Sequence, residues 1–215
     1  MAWFADAIHL WKRAPYTFSG MAIVVLVVSI ALDPVPIAGL FASNVVAPLL
    51  GCGLYYGSLA ADRGDRPRVA HLVAAFLAPL RAQGAIVAAG IVVTLVESAV
   101  AWGLAGVNLL MPSSEMVNLS VSQIAIIYAV GALASLPFTF IPMAVLFDGE
   151  TPGRAFTVSI RAFALNVRGM LGLGAYSYAF LMAGVATTGI GLVFALPWIA
   201  AASYAAWKDI FGLER

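Results

Sequence analysis

Glu97, in the stretch VVTLVESAVAWGL, is the one acidic or basic residue set well inside a long apolar run, and any chemistry in the membrane would start there. A charge at bilayer depth costs about 2.5–3.5 kcal/mol on insertion scales, so its carboxyl must be protonated, hydrogen-bonded or turned to a wet cavity. A second reading has the carboxylate reaching the outer headgroups from the far part of its run. Tyr176, Ser177, Tyr178, Thr187 and Thr188 on a later run are polar enough to meet it, and the two threonines lie nearer the matching depth.

The other reactive residue types do not assemble into a site. His9 and His71 are the only histidines, and both fall on amphipathic segments outside the apolar runs, which leaves no ligand for haem or metal within the bilayer. Cys52 has no second cysteine to bond with and no histidine at metal-ligand spacing, so its role and the redox compartment stay open. GCGLYYG lacks the GxGxxG spacing of a nucleotide loop, and Gly53 and Gly57 read instead as small residues that let helices approach. With no paired carboxylates, no nucleophile beside a base and no ligand cluster, the chain is expected to be non-enzymatic and to carry no cofactor.

Those residues sit in a membrane-type chain. Hydrophobic residues make up 63% and charged residues 10%, with mean hydropathy +1.00, against about 45–50% and about 25% in soluble domains. A net charge of +1 comes with no basic cluster, so nucleic acid is not an expected partner. The start, MAWFADAIHLWKRAP, has acid and aromatics before its basic pair and no small-residue cleavage site after the first run, and it reads as uncleaved.

Six apolar runs have the length or composition of bilayer spans, near residues 16–32, 37–61, 81–104, 121–147, 169–187 and 190–207. Pro48 predicts a kink in the second, and Pro137 and Pro142 predict a bent or broken fourth. All eleven basic residues (Lys12, Arg13, Arg63, Arg66, Arg68, Arg81, Arg154, Arg161, Arg168, Lys208 and Arg215) fall at the two ends or in the second and fourth connections. By the positive-inside rule both termini and both those linkers are cytoplasmic, while the Asp33 turn, the Glu115 loop and the turn from Thr187 to Gly191 face outward.

The basic linkers are amphipathic. At 100° per residue, Phe156, Ile160, Phe163 and Val167 share one face and Arg154, Arg161 and Arg168 the opposite one. Upstream, Val69, Leu72, Val73, Phe76, Leu77 and Leu80 form the apolar face, with His71, Ala74 and Ala78 opposite and Arg68 at the margin. A worn copy opens the chain, with Trp3, Phe4, Ala7, Ile8 and Trp11 on one side and Asp6, His9 and Arg13 on the other. Such helices can lie in the inner headgroup plane, with Arg68, Arg81, Arg154, Arg161 and Arg168 as contacts to anionic lipid, or pack under the bundle with no lipid role. Pro48 to Tyr55 and Pro197 to Tyr204 repeat one spacing. The expected fold is therefore all-α: a single transmembrane domain, 1–215, with six transmembrane helices in three parallel hairpin repeats (about 1–62, 63–148 and 149–215), each preceded by a cytoplasmic amphipathic interfacial helix.

The motifs PLLGCGLYYGSLAADRGD, FIPMAVLFDGETPGRAF, VSIRAFALNVRGM and SYAAWKDIFG together resemble a family of uncharacterised bacterial six-helix inner-membrane proteins, over nearly the whole chain. The hairpins are similar to the membrane domain of some glycerophosphoryl diester phosphodiesterases, though no catalytic domain is attached. Some relatives carry histidines near the end of the last helix; here that place reads ALPWIAAASYAAWKDIF, which gives haem no ligand. The resemblance implies fold and compartment and no activity. Two functions follow as expectations: an accessory, scaffold or assembly subunit that contacts other membrane-protein subunits of a larger complex, or a small transporter, channel or lipid-handling protein that uses Glu97.

Overall fold

The computed structural model describes residues 2–32, 39, 42–109 and 119–212. The described residues form helices and turns: α1 (Ala2–Arg13), α2 (Pro15–Leu32), a π-helical turn (Ala42–Val46) running into α3 (Ala47–Asp62), a 3₁₀ segment (Val69–Leu77), α4 (Leu80–Ala105), α5 (Val121–Ser135), a 3₁₀ turn (Leu136–Phe138), α6 (Ile141–Leu146), α7 (Pro152–Leu165), α8 (Val167–Ala186) and α9 (Leu192–Ile210). The expected Asp33 turn, the Glu115 loop and Arg215 lie outside the described residues.

Four segments, Asn44–Asp62, Leu80–Ala105, Val121–Leu146 and Val167–Ala186, are long and apolar enough to cross a membrane. A fifth is added if α1 and α2, bent by 97°, count as one broken span. This is fewer than the six expected. Helix α9 falls short because Pro197, Trp198, Ser203, Tyr204, Trp207, Lys208 and Asp209 dilute its apolar content. It is instead wrapped by protein over its second half: every residue from Ala200 to Trp207 is buried, against α1, α2, α3 and α8. Its run of alanines lets neighbouring backbones come close, which is how helices associate where lipid removes the hydrophobic drive.

Three expectations about individual elements change. Pro48 does not sit at mid-span but where a π-helical turn passes into α3, in the first turn of that helix. The Val69–Leu77 linker is 3₁₀ rather than α. Residues three apart then eclipse, which sets Leu72 and Ala75 on one buried line; Val73 and Leu77 point outward, and Val69, on the buried line but at the start of the segment, is exposed as well. The segment lies so close to α3 that a Cβ on Gly53 would overlap the Leu72 backbone and sit 2.9 Å from the His71 carbonyl oxygen. Gly57, one turn on, faces the Phe18 ring and Met21 of α2 at 3.1 and 3.4 Å.

Helix α7 carries three stripes where the sequence suggested two. Ala155, Ser159 and Ala162 are the buried residues and pack on the bundle. At 3.6 residues per turn the Phe156–Ile160–Phe163 stripe lies about 100° from them and the arginines about 130° beyond that. Small side chains set the docking face because they permit close approach, and the larger apolar residues flank it.

Ser159 explains why docking there matters. Pro137 and Pro142 break the fourth apolar run, as their spacing predicts, into α5, a 3₁₀ turn and α6. At the break the fully buried Ser159 hydroxyl donates to the Pro137 carbonyl at 2.7 Å and accepts the Phe140 N–H at 3.2 Å. A neighbouring side chain thus restores the bonding that the prolines remove.

Helix α1 packs its aromatic side on the protein. Phe4 stacks on Tyr176 with ring centroids 4.1 Å apart, Trp11 meets Trp198 edge-on at 5.8 Å, and Ala7 and Leu10 are buried. At the same end of the bundle Lys208 bridges both oxygens of Asp62 at 3.0 and 2.8 Å, Tyr204 donates to Asp62 at 2.9 Å, and Arg13 donates to the Ala61 carbonyl. These bonds place the start of α2 and the ends of α3 and α9 on one side.

Two measurements follow. Ser159→Ala leaves the Pro137 carbonyl and Phe140 N–H without their partner, and should lower unfolding stability in detergent by about 1–3 kcal/mol; an unchanged midpoint would show that the break does not depend on α7. The second concerns His71, whose Nδ1 accepts the Arg68 N–H at 3.3 Å. Burial, then the Arg68 guanidinium, holds its imidazole below the ordinary value of 6.5. Because the fold favours the neutral form, this contribution is present above pH 6.5 and is lost as pH falls below it. NMR titration in nanodiscs should show a midpoint below that of free histidine, rising part of the way back in Arg68→Gln. A His71 midpoint at or above the free value would contradict this.

Candidate functional site

The proline break opens space inside the bundle. Between α3, α4, the α5–α6 break, α8 and α9 lies a cavity of about 460 Å³, within the range of about 300–1,000 Å³ that holds small ligands. The broken span supplies Ser135, Leu136, Phe138, Thr139 and Pro142; facing them are Cys52 and Tyr55 of α3, Thr94 of α4, Ser177 of α8 and Ser203 of α9. Gly174 keeps the wall thin, since a Cβ there would press on Leu136 at 3.0 Å.

The chemistry of this wall is uniform. None of its lining residues is an Asp, Glu, Lys or Arg. Apolar surface dominates, interrupted by hydroxyls. Ser135 and Thr139 spend theirs on backbone carbonyls one turn back, at 2.8 and 3.4 Å. The hydroxyls of Thr94 and Ser177 have no hydrogen-bond partner among the described residues and remain available to a guest. Such a wall is chemically suited to an apolar body with a neutral hydrogen-bonding group.

Glu97 does not line this space. It lies on α4 against α5, where its carboxyl rests on the backbone of Gly131 so closely that a Cβ at 131 would overlap Oε1. The residue is half-buried and has no hydrogen-bond partner among the described residues. Of the side chains suggested for it, Tyr178 donates to the Ala125 carbonyl at 3.1 Å, Thr187 accepts the Gly191 N–H at 2.8 Å while closing the turn after α8, Thr188 donates to the Thr187 carbonyl at 2.7 Å, Tyr176 stacks on Phe4, and Ser177 lines the cavity.

The remaining residues are dispersed. Arg68, Arg81, Arg154, Arg161 and Arg168 are exposed, and Arg154 pairs with Glu150 at 3.0 Å. Cys52 is a buried free thiol in the cavity wall. Among the described residues no group of three His, Cys, Asp or Glu could hold a metal ion.

Sequence reasoning missed the cavity because its hydroxyls are scattered over five elements and are unremarkable singly. The available signal was the proline pair, which marks where a helix must part from its neighbours. The chain matches no family model, no curated protein and no solved structure, so its function is argued from this geometry alone.

Proposed function

We propose that the protein is a membrane-embedded binding or transfer protein for a small, predominantly apolar, uncharged molecule, held in the cavity against the broken span. The observation that carries the reading is a hydroxyl-lined cavity of about 460 Å³ without a charged side chain, between helices long and apolar enough to cross a membrane. It belongs with the transporter or lipid-handling expectation, with Thr94 and Ser177 in place of Glu97 as the residues that meet the guest. An accessory-subunit role is the other outcome of the same experiment.

The finer topology is part of this reading. Six spans in three hairpin units are supported if α9 is the protein-wrapped central span, α2 is a span of its own, and α1, the 3₁₀ linker and α7 are the interfacial elements before each pair. Both termini and both basic linkers then lie in the cytoplasm, a placement that the segregation of lysine and arginine supports, and the family resemblance of the sequence motifs makes the membrane the bacterial inner one. The arginines exposed on α7 and beside the 3₁₀ segment would meet anionic lipid there.

Native mass spectrometry of the protein released from its membrane is the direct test. A lone chain carrying a small neutral molecule is expected. Ser177→Phe, which fills the cavity, and Thr94→Val, which removes a hydroxyl with little change in shape, should both lower its retention, and Glu97→Gln should not. Stoichiometric partner subunits with no bound molecule would overturn the reading in favour of the scaffold.

Reporter fusions after Asp33, Ser114 and Glu150 and at the C-terminus should read outside, outside, cytoplasm and cytoplasm. A cytoplasmic reading after Asp33 would overturn the topology.

A further inference from the structure

A second cavity, also of about 460 Å³, lies at the polar end of the bundle between α1 and the ends of α3 and α9. Its wall is the reverse of the first. Asp6, His9 and Arg13 enter from α1, Asp62 from α3, and Lys208 and Asp209 from α9. Within this group Lys208 and Asp62 form the one ion pair among the described residues. Arg13 is spent on a carbonyl, that of Ala61. Asp209 accepts the Trp3 indole N–H at 2.8 Å, and Asp6 has no hydrogen bond or ion pair among the described residues.

Two features give the space a polarity. The acids Asp6 and Asp209 are not matched by a cation, and the C-terminal ends of α3 and α9, which carry partial negative charge, close the same cavity. A positive group is therefore favoured beside Asp6 and Asp209. Arg13 and Lys208 stand in the same cavity with N–H groups suited to an anionic oxygen. Asp6, Asp209 and Arg13 line one space without ion-pairing with each other, and Lys208 keeps one N–H beyond the two it gives Asp62, which fits a molecule that carries both charges.

We propose that this cavity binds a zwitterion made of a primary ammonium and a phosphate ester, the ammonium against Asp6 and Asp209 and the phosphate against Arg13 and Lys208. A primary ammonium donates hydrogen bonds to carboxylates, whereas a quaternary one has no N–H to give. The site therefore separates a phosphoethanolamine group from a phosphocholine group by donors rather than by charge. The ligand is either the headgroup of a bilayer lipid or a soluble phosphoethanolamine ester. This site is independent of the neutral cavity and of its occupant.

The test uses the full chain in nanodiscs of phosphatidylethanolamine, phosphatidylcholine and phosphatidylglycerol, with lipids that stay bound on release read by native mass spectrometry. Phosphatidylethanolamine should be retained at least about ten-fold over phosphatidylcholine, a ratio of about 1.4 kcal/mol. Asp6→Asn and Arg13→Gln should each reduce that ratio several-fold, while Arg68→Gln, an exposed arginine away from the cavity, should leave it unchanged. If neither lipid is retained, soluble glycerophosphoethanolamine titrated onto the protein in detergent should bind and lose binding in Asp6→Asn, which identifies a free solute as the source. Equal retention of the two lipids, or a preference that survives both Asp6→Asn and Arg13→Gln, overturns the proposal, as does failure of both lipid and soluble ester to bind.

Discussion

Close backbone approach is the constraint on which the rest of this fold depends. Inside hydrocarbon an apolar side chain gains nothing by leaving lipid for protein, so helices hold together by contact and by the bonds that contact permits. The molecule meets this with glycine and alanine at several of its junctions. Gly53 admits the 3₁₀ linker to α3, Gly184 and Gly191 bring α8 and α9 together around their turn, and Gly131 makes room for Glu97. Alanines on α9 let four helices surround it. Where contact is tight enough, single side chains can repair the backbone, as Ser159 does at the break after α5.

That dependence sets what could be read from residues in order. Elements governed by composition or punctuation were legible: the long apolar helices, the proline break at 137–142, the turn after Ala186 with Thr188 at φ 53° and Gly189 at φ 89°, and the separate linker helices. What depends on a neighbour was not. Ala155, Ser159 and Ala162 look like the neutral flank of an amphipathic helix, yet they are its docking face, because burial here follows side-chain size more than apolarity. The 3₁₀ geometry of Val69–Leu77 likewise reflects a partner. Its sequence scores well as an α-helix, but the segment ends at Pro79 and lies against Gly53, which favours the tighter winding.

The site was still less legible, for a related reason. Glu97 drew attention because a lone acid in an apolar run is conspicuous, whereas Thr94 and Ser177 are ordinary in a helix. A hydroxyl can satisfy itself on a carbonyl one turn back, so only the structure separates those that do, Ser135 and Thr139, from those that do not. Asp62 and Lys208 are 146 residues apart and meet only because α3 and α9 end together.

The two cavities differ in charge as their depths require. At the polar end of the bundle, water and headgroups screen ionised side chains, so aspartates and basic residues can line a space without all being paired. Deeper in the bundle an ionised wall would carry a desolvation penalty that an empty cavity has nothing to offset, and the chain uses hydroxyls and a thiol instead. Asp62, in the wall of the charged cavity, is partly buried, and Lys208 and Tyr204 together hydrogen-bond both its oxygens. Under the two proposals selectivity divides by depth: recognition through charge where charge is cheap to expose, and through shape and neutral hydrogen bonds where it is not. A molecule that is apolar and uncharged would pass over the outer cavity and be held by the inner one, and a zwitterion would do the reverse.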